Sequence, residues 1–468
     1  MILRAVIILA SAVAALVAQD NRAKRVDDIF QEWNKPGTPG AAVAVIQGGR
    51  LVYEKGYGLA NLEYNIPVTP QTIFHVASVS KQFTAMALVL LEQDGKLSLE
   101  DDVHKYLTEL PDYGRKIAIR NLLQHTSGIR DQWQTLSLAG WRMDDVITQK
   151  QILRMLFHQK ELNFPPGTRH LYSNGGYTLA AEIVARVSGK PFPEFCDERI
   201  FRSLGMARTH FHDDHRRIVP DRAYSYEKVK DGYRAEPLNY ANVGATSLFT
   251  TAPDLVKWLD NFREPKVGGR AAVERLQEQA VLADGKKIDY ALGVSVGKYR
   301  GLRTISHGGG DAGYRSYVVW FPEPALGVAV VSNLASFSPG QIANQVAAVF
   351  AGGKMTSDAV NPKPAAEVAM GGERIAVAPP DPKDLAQYSG AYWSDELETQ
   401  YTIAAKDGKL VADHAHHGEI ELTPVAKDQF KGAVWFMQEV KFVRGESGRI
   451  TGLTVGGGRV SAVRFIRK

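Results

Sequence analysis

The sequence predicts a mixed α/β domain in which strands flank a helical insert, followed by a small all-β unit. Residues 40–57 and 290–333 alternate apolar and polar positions around glycine-rich turns, which is typical of antiparallel strands. Between them, residues from about 115 to about 265 carry helical patterns separated by loops rich in Pro, Gly and Asn. Beyond residue 382, short alternating segments that we expect to be strands, among them Tyr401–Ile403 and Trp435–Met437, are separated by turns such as Asp407-Gly408.

Length and composition limit the classes of protein to which the chain can belong. Its 468 residues exceed what one compact core usually holds, so we expect two or three folding units. With 44% apolar and 23% charged residues the composition is that of a globular protein. The net charge of +5 is modest and no dense Lys/Arg run occurs, so nucleic acid is not an expected partner.

The N-terminus resembles a secretory signal peptide. Arg4 gives it a positive start, and an apolar run of 14 residues follows from Ala5 to Ala18. A helix needs about 20 residues to span a bilayer, so we expect cleavage rather than anchoring. Cleavage after Ala15 fits the rule of small residues better than cleavage after Ala18, and both sites stay open. We predict a signal peptide over residues 1–18 and an exported mature chain, periplasmic or secreted, without a transmembrane span.

Two local patterns place elements early in the chain. Residues 40–57 read as a hairpin with a turn at Gly48-Gly49. Phe83 to Leu91 is apolar on every side of a helical wheel, which predicts a helix buried within a domain and ended by Gly95.

Ser78 and Lys81 stand at the start of that helix and are the candidate catalytic pair. Their i, i+3 spacing puts both side chains on one face, so a serine nucleophile has a base within reach. A helix N-terminus favours negative charge that develops beside it, and burial by Phe83 and Met86 would lower the proton affinity of the lysine. Taken alone, the two residues are better explained as an N-cap serine followed by a solvated lysine.

Further segments accompany the pair in a characteristic order. Tyr172-Ser173-Asn174 follows a Pro-Pro-Gly turn, and His307-Gly308-Gly309-Gly310 precedes a strand from Tyr314 to Trp320. The phrase from Leu122 to Ile129 reads as a loop after a helix. Together these segments resemble the serine β-lactamase and penicillin-binding protein superfamily, specifically its class C-like branch, over residues from about 31 to about 350. That branch also holds esterases, D-amino-acid peptidases and amide hydrolases.

The resemblance implies an α/β (α+β) serine β-lactamase-like fold, with an antiparallel sheet flanked by helices and a helical region beside it. It also implies that Ser78 is acylated while Lys81 and Tyr172 shuttle the proton, and which of these two leads stays open. Asn174 would hold the substrate amide or the lysine. These roles match the chemistry of the side chains.

The segment His307-Gly308-Gly309-Gly310 is called the third motif below. It contains the expected oxyanion site and one departure from the family pattern. By the resemblance, the backbone N–H groups of Ser78 and Gly310 form the oxyanion hole, and Gly309 lets the strand edge come close. His307 stands where many relatives have the lysine of Lys-Thr-Gly, so a neutral ester or amide is favoured over a strictly anionic substrate. Arg315 is an alternative source of positive charge.

Two motifs imitate other families. Ser295 lies in a G-x-S-x-G match, but no helix follows as a nucleophile elbow requires, so we expect a structural role. Residues 308–313 match a dinucleotide fingerprint in letters, yet a strand follows in place of the phosphate-binding helix. We therefore expect no organic cofactor.

Histidine and cysteine positions do not predict a metal site. His414, His416 and His417 are interpreted as solvated side chains, since no further ligand set accompanies them. Cys196 is the only cysteine, which excludes an internal disulfide, and its apolar surroundings predict packing.

The predicted domains are a hydrolase domain over residues 19–352, a linker over residues 353–382 and a C-terminal domain over residues 383–468. The last is similar to the lipocalin-like β-barrels appended to some members of the superfamily, so we expect a small antiparallel β-barrel. Such a barrel could shape the entrance to the active site, mediate homo-oligomer formation or bind an apolar ligand.

The sequence as a whole predicts a serine hydrolase that forms an acyl-enzyme with a small ester, a D-amino-acid peptide or a β-lactam-like carbonyl. The expected partner is a small-molecule or peptide substrate, with no metal or organic cofactor. A slow-turnover penicillin-binding protein and a non-catalytic binding module that retains the fold are the alternatives.

Overall fold

The computed structural model describes residues 21–356 and 382–468, which form two compact units. The sheet unit comprises residues 21–97, 187–280 and 289–356. The barrel unit comprises residues 98–186, 281–288 and 382–468.

Two of the predicted segments fall where the structure gives no description. The predicted signal peptide, residues 1–18, lies outside the described residues. So does most of the predicted linker, which covers residues 353–382.

Short strands and helices follow one another along the chain. The strands are β1 (Ala41–Gln47), β2 (Arg50–Tyr57), β3 (Leu59–Asn61), β4 (Ile66–Pro67), β5 (Phe74–His75), β6 (His210–Phe211), β7 (Tyr226–Val229), β8 (Gly232–Ala235), β9 (Leu248–Thr250), β10 (Ser295–Tyr299), β11 (Leu302–Asp311), β12 (Tyr314–Phe321), β13 (Leu326–Ser332), β14 (Gly390–Ser394), β15 (Thr399–Lys406), β16 (Lys409–His414), β17 (Gly418–Ala426), β18 (Gln429–Gly432), β19 (Glu439–Arg444), β20 (Ile450–Gly457) and β21 (Val460–Arg467). The α-helices are α1 (Lys81–Gln93), α2 (Ile119–Leu123), α3 (Gln132–Leu138), α4 (Gln149–His158), α5 (Asn174–Ser188), α6 (Phe192–Cys196), α7 (Arg202–Leu204), α8 (Ala252–Asp260), α9 (Gly269–Leu276), α10 (Pro339–Ala351) and α11 (Pro382–Leu385). Residues 21–30 are also helical.

A six-stranded antiparallel sheet forms the centre of the sheet unit, in the order β10-β11-β12-β13-β1-β2. The predicted hairpin is confirmed as β1 and β2, and β13 pairs with the other edge of β1. Strands β1 and β13 are buried almost throughout, as expected for strands covered on both faces. Helix α8 packs against β1 and β13, and α10 packs against β12 and β13. The predicted sheet flanked by helices is therefore confirmed.

Helix α1 is the buried helix that the sequence predicts. Every residue from Lys81 to Leu91 is buried, and the chain turns away at Gly95 with φ 69°. Strand β5 leads toward α1 and pairs with β9, so the start of the helix is fixed to a neighbouring strand.

The barrel unit contains a closed barrel in which consecutive strands from β14 to β21 are neighbours and β14 pairs with β21. This confirms the predicted C-terminal antiparallel barrel. Its inward side chains, such as Tyr401, Ile403 and Phe465, pack together in one apolar cluster. The strand expected at Trp435–Met437 is wrong: this segment belongs to the connection between β18 and β19, and Gly432 N donates to Met437 O at 2.8 Å.

Helix α3 makes one of the contacts between the helical region of this unit and the barrel. Leu138, its last residue, is fully buried in the apolar cluster of the barrel, and its carbonyl accepts from Tyr401 Oη at 3.1 Å. His416 Nδ1 and His417 Nε2 bond the carbonyls of Gly140 and Ser137. The expectation of solvated side chains is wrong for His414, which is buried and bonded to Thr399 Oγ1 at 2.8 Å, whereas His416 is exposed and His417 is half-buried.

No helix within residues 21–356 and 382–468 combines the length and apolar character needed to cross a membrane.

Candidate active site

Ser78 lies in a 3-10 turn, Ala77–Ser80, immediately before the first residue of α1. Ala77 adopts φ 47°, a left-handed conformation that is strained for a residue with a Cβ. Ala77, Val79 and Ser80 are buried, whereas Ser78 is partly exposed. The strained turn thus presents one hydroxyl to the surroundings.

Lys81 is fully buried one turn beyond Ser78. Its Nζ donates to Ser78 Oγ at 3.0 Å and to the carbonyl of Ala245 at 2.6 Å. Gly293, with φ 73°, packs against the backbone of Lys81, where a Cβ would come within 2.7 Å of its carbonyl oxygen. A hydroxyl in hydrogen-bond contact with a buried amine has the geometry that proton transfer from a serine nucleophile requires.

Strand β11 comes close to the nucleophile turn at the third motif. A Cβ on Gly309 would lie 2.3 Å from the carbonyl oxygen of Val76 and 2.4 Å from Ser316 Oγ. Ser316 Oγ itself donates to that same carbonyl at 2.7 Å, which links β12 to the start of the turn. At Gly310, a Cβ would meet only the side chain of Arg315, at 3.5 Å. Close approach therefore demands glycine at position 309 but not at position 310.

His307 is buried beneath this edge as a neutral imidazole. Its Nδ1 donates to the carbonyl of Gly308 at 2.6 Å, so its Nε2 accepts from the hydroxyl of Tyr290 at 2.9 Å. Burial, reinforced by the positive charge of Lys81, lowers the pKa of His307 to about 3. The third motif of this chain therefore contributes no positive charge near neutral pH.

Arg315 keeps its charge but is bonded within its own turn. Its Nη1 donates to the carbonyls of Ala312 and Tyr314, at 2.9 and 2.7 Å, within its own turn. Burial also lowers the pKa of its guanidinium. The contacts of Arg315 indicate a structural role in the β11–β12 turn.

Tyr172 belongs to the barrel unit, where His125 holds the segment that carries it. His125 adopts φ 55°, and its carbonyl accepts from Leu171 N at 2.9 Å while its Nδ1 accepts from Ser173 N at 3.1 Å. Its ring lies 4.0 Å from the ring of Tyr172, centroid to centroid. The backbone on both sides of Tyr172 is thus bonded to one residue, and the half-buried phenol packs against the same side chain.

Asn174 is the first residue of α5, and a buried carboxylate orients its side chain. Asp131 Oδ2 accepts from the backbone N of Asn174 at 2.9 Å and from its Nδ2 at 2.8 Å. Asp131 Oδ1 meanwhile accepts from the backbone N of Trp133 at 3.1 Å and of Gln134 at 3.4 Å, at the start of α3. With Nδ2 directed at Asp131, Oδ1 is the end of the Asn174 amide that can accept from a substrate N–H or an ammonium group.

The structure divides the predicted site residues between the two units. Ser78, Lys81, His307, Gly309 and Gly310 lie in the sheet unit, where the third-motif strand adjoins the nucleophile turn. The barrel unit holds the remaining two, Tyr172 and Asn174.

Sequence reasoning missed the side chains that support these residues. His125, Asp131 and Tyr290 each bond a predicted site residue or its neighbour. Asp131 carried a usable signal, because an aspartate directly before a helical pattern is a typical N-cap. His125 lies in the phrase from Leu122 to Ile129, which the resemblance includes without a role for its side chain, and Tyr290 has no local signature.

The rejected motifs have structural roles. Ser295 is the first residue of strand β10, so no nucleophile elbow is present there. Cys196 is fully buried, and burial raises the pKa of its thiol well above the usual value. Across residues 21–356 and 382–468, no group of three His, Cys, Asp or Glu side chains is arranged to hold a metal ion.

Comparison with known proteins identifies relatives of this arrangement. The model of the Beta-lactamase family matches residues 13–351. The chain is 30% identical to a D-aminopeptidase from Gluconobacter oxydans over 310 residues, which are 66% of this chain and 58% of that protein. It is 28% identical to penicillin-binding protein 4* from Bacillus subtilis over 332 residues, 67% of this chain and 72% of that one. The match thus spans little more than half of the D-aminopeptidase.

A solved structure extends the likeness to the whole described fold. The octameric penicillin-binding protein homologue from Pyrococcus abyssi superposes with a TM-score of 0.63 at 22% identity. The alignment covers 96% of this chain and 99% of that one. At this identity the likeness concerns the fold.

Proposed function

Because the chain belongs to the beta-lactamase family, we propose that it is a serine hydrolase that acts through an acyl-enzyme on an ester or amide carbonyl. The observation that carries the proposal is the 3.0 Å contact between Lys81 Nζ and Ser78 Oγ in a strained, otherwise buried turn. The class C-like type and the roles of single residues belong to this proposal.

The proposed reaction has two steps. In the first, Ser78 Oγ attacks the carbonyl carbon while its proton passes through Lys81 or Tyr172 to the leaving group, and an ester forms on Ser78. In the second, a water molecule attacks that ester and gives its proton to the same base, which passes it to Ser78 Oγ as the ester bond breaks and the acid is released. The backbone N–H groups of Ser78 and Gly310 stabilise the charge on the carbonyl oxygen in both steps.

The substrates we propose carry no carboxylate beside the reacting carbonyl. His307 is neutral and buried, and Arg315 is engaged by its own turn, so the third motif offers no cation to a substrate carboxylate. Small esters and the amides of D-amino acids or D-amino-acid peptides fit this description. The relative from Gluconobacter oxydans, a D-aminopeptidase, supports the second group.

Active-site labelling followed by intact mass measurement tests the proposal. The protein is incubated with a fluorophosphonate, a fluorescent penicillin and a nitrophenyl ester, alongside the variants Ser78→Ala and Ser295→Ala. We expect an adduct on the native chain and on Ser295→Ala, which removes the hydroxyl of the G-x-S-x-G motif. No adduct is expected on Ser78→Ala.

The pattern of adducts separates the remaining alternatives. Rapid turnover of the ester with weak penicillin labelling supports the hydrolase, whereas a stable penicillin adduct without ester turnover indicates a slow-turnover penicillin-binding protein. Absence of any adduct on the native chain contradicts the proposal and favours a non-catalytic binding module.

We also propose that the chain is exported, through a signal peptide over residues 1–18, and that residues 383–468 form a lipocalin-like domain joined by the 353–382 linker. N-terminal sequencing of the protein from a periplasmic or secreted fraction tests export, and an intact Met1 would contradict it.

Homo-oligomer formation through the barrel is also proposed, and the native mass of the full chain tests it.

A further inference from the structure

The hairpin between β20 and β21 is the part of the barrel that reaches the segment around Tyr172. Its turn consists of Gly457, Gly458 and Arg459, and both glycines adopt positive φ, 103° and 61°. A Cβ at Gly458 would already lie 3.2 Å from Gln134 Oε1, so the turn packs closely against helix α3. This hairpin therefore has a fixed neighbour outside the barrel.

Two amide side chains hold the backbone of Arg459. Buried Gln134 donates from Nε2 to the carbonyl of Gly457 at 2.6 Å and accepts from Arg459 N at 2.9 Å. Asn163 donates to the carbonyl of Arg459 at 3.0 Å and accepts from Ser461 N at 2.8 Å. Both polar groups of the Arg459 backbone are thus bonded to the helical region of the barrel unit.

The side chain that this backbone presents lies over Tyr172. The guanidinium carbon is 4.8 Å from the centroid of the Tyr172 ring, within the range of a cation–π contact. Arg459 Nη1 is also 3.9 Å from Asp131 Oδ2, the oxygen that orients Asn174. One barrel residue therefore contacts Tyr172 directly and approaches the carboxylate that orients Asn174.

We infer that Arg459 is a positioning residue through which the barrel sets the orientation and the proton affinity of the Tyr172 phenol. The inference rests on the proposed function, in which Tyr172 shuttles protons. A cation next to a phenol favours the phenolate, and contact with the ring face restricts its rotation. The barrel would then contribute to catalysis by positioning a catalytic side chain.

Other charged and titratable groups lie against Tyr172 or against the residues that contact it. His125 packs on its ring, His170 lies 5.9 Å from the ring of His125, and Asp131 approaches Arg459. Burial lowers the pKa of His170. All three groups remain in an Arg459 variant. A change in the pH profile of that variant is therefore due to the loss of the Arg459 side chain.

Kinetics of Arg459→Ala and Arg459→Lys with a neutral nitrophenyl ester test the inference. We expect Arg459→Ala to lower kcat roughly fivefold with KM little changed, and to move the acid limb of the pH profile upward by roughly half a unit. Lysine retains the charge and should recover part of both effects. Arg464→Ala is the matched control: Arg464 lies on β21 and pairs with Glu161 at 2.7 Å, and we expect it to behave as the native chain.

A second measurement does not depend on activity. In protein labelled with fluorotyrosine, the resonance missing from Tyr172→Phe identifies Tyr172, and its titration can be followed by fluorine NMR. A midpoint that rises in Arg459→Ala supports the inference even if labelling of Ser78 fails, which would overturn the proposed function alone. An unchanged midpoint and pH profile overturns the inference. A rise in KM confined to carboxylate-bearing substrates, without a change in the profile, also overturns it, because it assigns Arg459 to substrate binding.

Discussion

The site residues of the two units are supported in different ways. The Ser78 group comprises the residues of the sheet unit, Ser78, Lys81, His307, Gly309 and Gly310, and the Tyr172 group comprises Tyr172 and Asn174 of the barrel unit. In the Ser78 group the contact between nucleophile and base is local, because Lys81 is three residues from Ser78, although strand β11 also approaches the turn at Gly309. The Tyr172 group depends on distant segments, since Asp131 precedes Asn174 by 43 positions and Arg459 follows Tyr172 by almost three hundred. The nucleophile is thus specified by a local motif, whereas the geometry around Tyr172 is specified by the tertiary structure.

This difference predicts how each group responds to mutation. In the Ser78 group, a substitution removes a reacting atom or blocks a close approach, so activity should fall more than stability. In the Tyr172 group, the supports also anchor helices α3 and α5, so activity and stability should fall together.

The largest effect is expected for Lys81→Ala. It removes the amine that contacts Ser78 Oγ, and loss of a positioned acid–base group typically costs about a hundred- to ten-thousand-fold in kcat. Lys257→Ala, which removes a lysine bonded to Gly205 and Asp254 on α8, serves as control. Ester turnover and thermal unfolding are measured for both. A Lys81→Ala protein with more than a tenth of native kcat would assign the proton transfer elsewhere.

Asp131→Asn should lower both activity and stability. One oxygen of Asp131 accepts from Asn174 and the other from the start of α3, so an amide must turn its NH2 toward one set of donors. Leaving buried donors unsatisfied costs about 1–3 kcal/mol of unfolding free energy, and we expect kcat to fall by roughly tenfold as Asn174 loses its orientation.

Asp254→Asn provides the matched comparison in the sheet unit. Asp254 is also a buried carboxylate, and its Oδ2 accepts from Arg208 N and Thr209 Oγ1. We expect it to lower the denaturant midpoint without lowering kcat. If both variants lose stability alone, Asp131 is a helix cap without influence on the site.

Gly309→Ala and Gly310→Ala sharpen the description of the third motif. A Cβ at position 309 would overlap the carbonyl of Val76, so we expect a loss of about 1–3 kcal/mol and weaker labelling of Ser78. A Cβ at position 310 would lie 3.5 Å from its nearest neighbours, in the side chain of Arg315, which is an ordinary contact, so stability should be close to native. Urea unfolding of the pair measures the difference, and equal stabilities would contradict the close approach of β11 to the turn.

The parts that the sequence predicted are those with a periodic or contiguous pattern. The β1–β2 hairpin, the buried helix α1 and the all-β nature of the C-terminal unit each follow from alternation or apolar runs confined to one segment, whereas closure of that unit into a barrel was expected from the resemblance to lipocalin-like domains. The segment Trp435–Met437 misled because its buried Phe436 and Met437 fill the barrel from a connection rather than from a strand. An apolar residue indicates that a position is buried, whereas only the spacing of apolar residues distinguishes a strand from a helix or a connecting segment.

The parts that it missed are contacts between distant segments. Nothing in the residues around Leu138 indicates that this side chain completes the barrel core, nor that His416 and His417 bond the end of the same helix. These contacts favour a packing role for the barrel over the binding of an apolar ligand, since its interior is occupied by large side chains such as Tyr401, Phe442 and Phe465.

The smallest predicted effect concerns pH and tests whether the third motif is neutral. The pKa of His307 in the folded protein, about 3, lies below its unfolded value, so the unfolded chain binds more protons as pH falls below about 6.5. Stability contributed by the neutral imidazole is therefore present above pH 6.5 and declines toward pH 3, by about 1–2 kcal/mol between pH 7 and pH 5. His307→Gln, which can keep both hydrogen bonds, should show a smaller decline than the native chain, whereas His158→Gln, at an exposed histidine paired with Glu398, should match the native chain. Identical declines in all three proteins would mean that the pKa of His307 is the same in the folded and unfolded chains, and the argument that burial keeps the third motif neutral would then lose its physical basis.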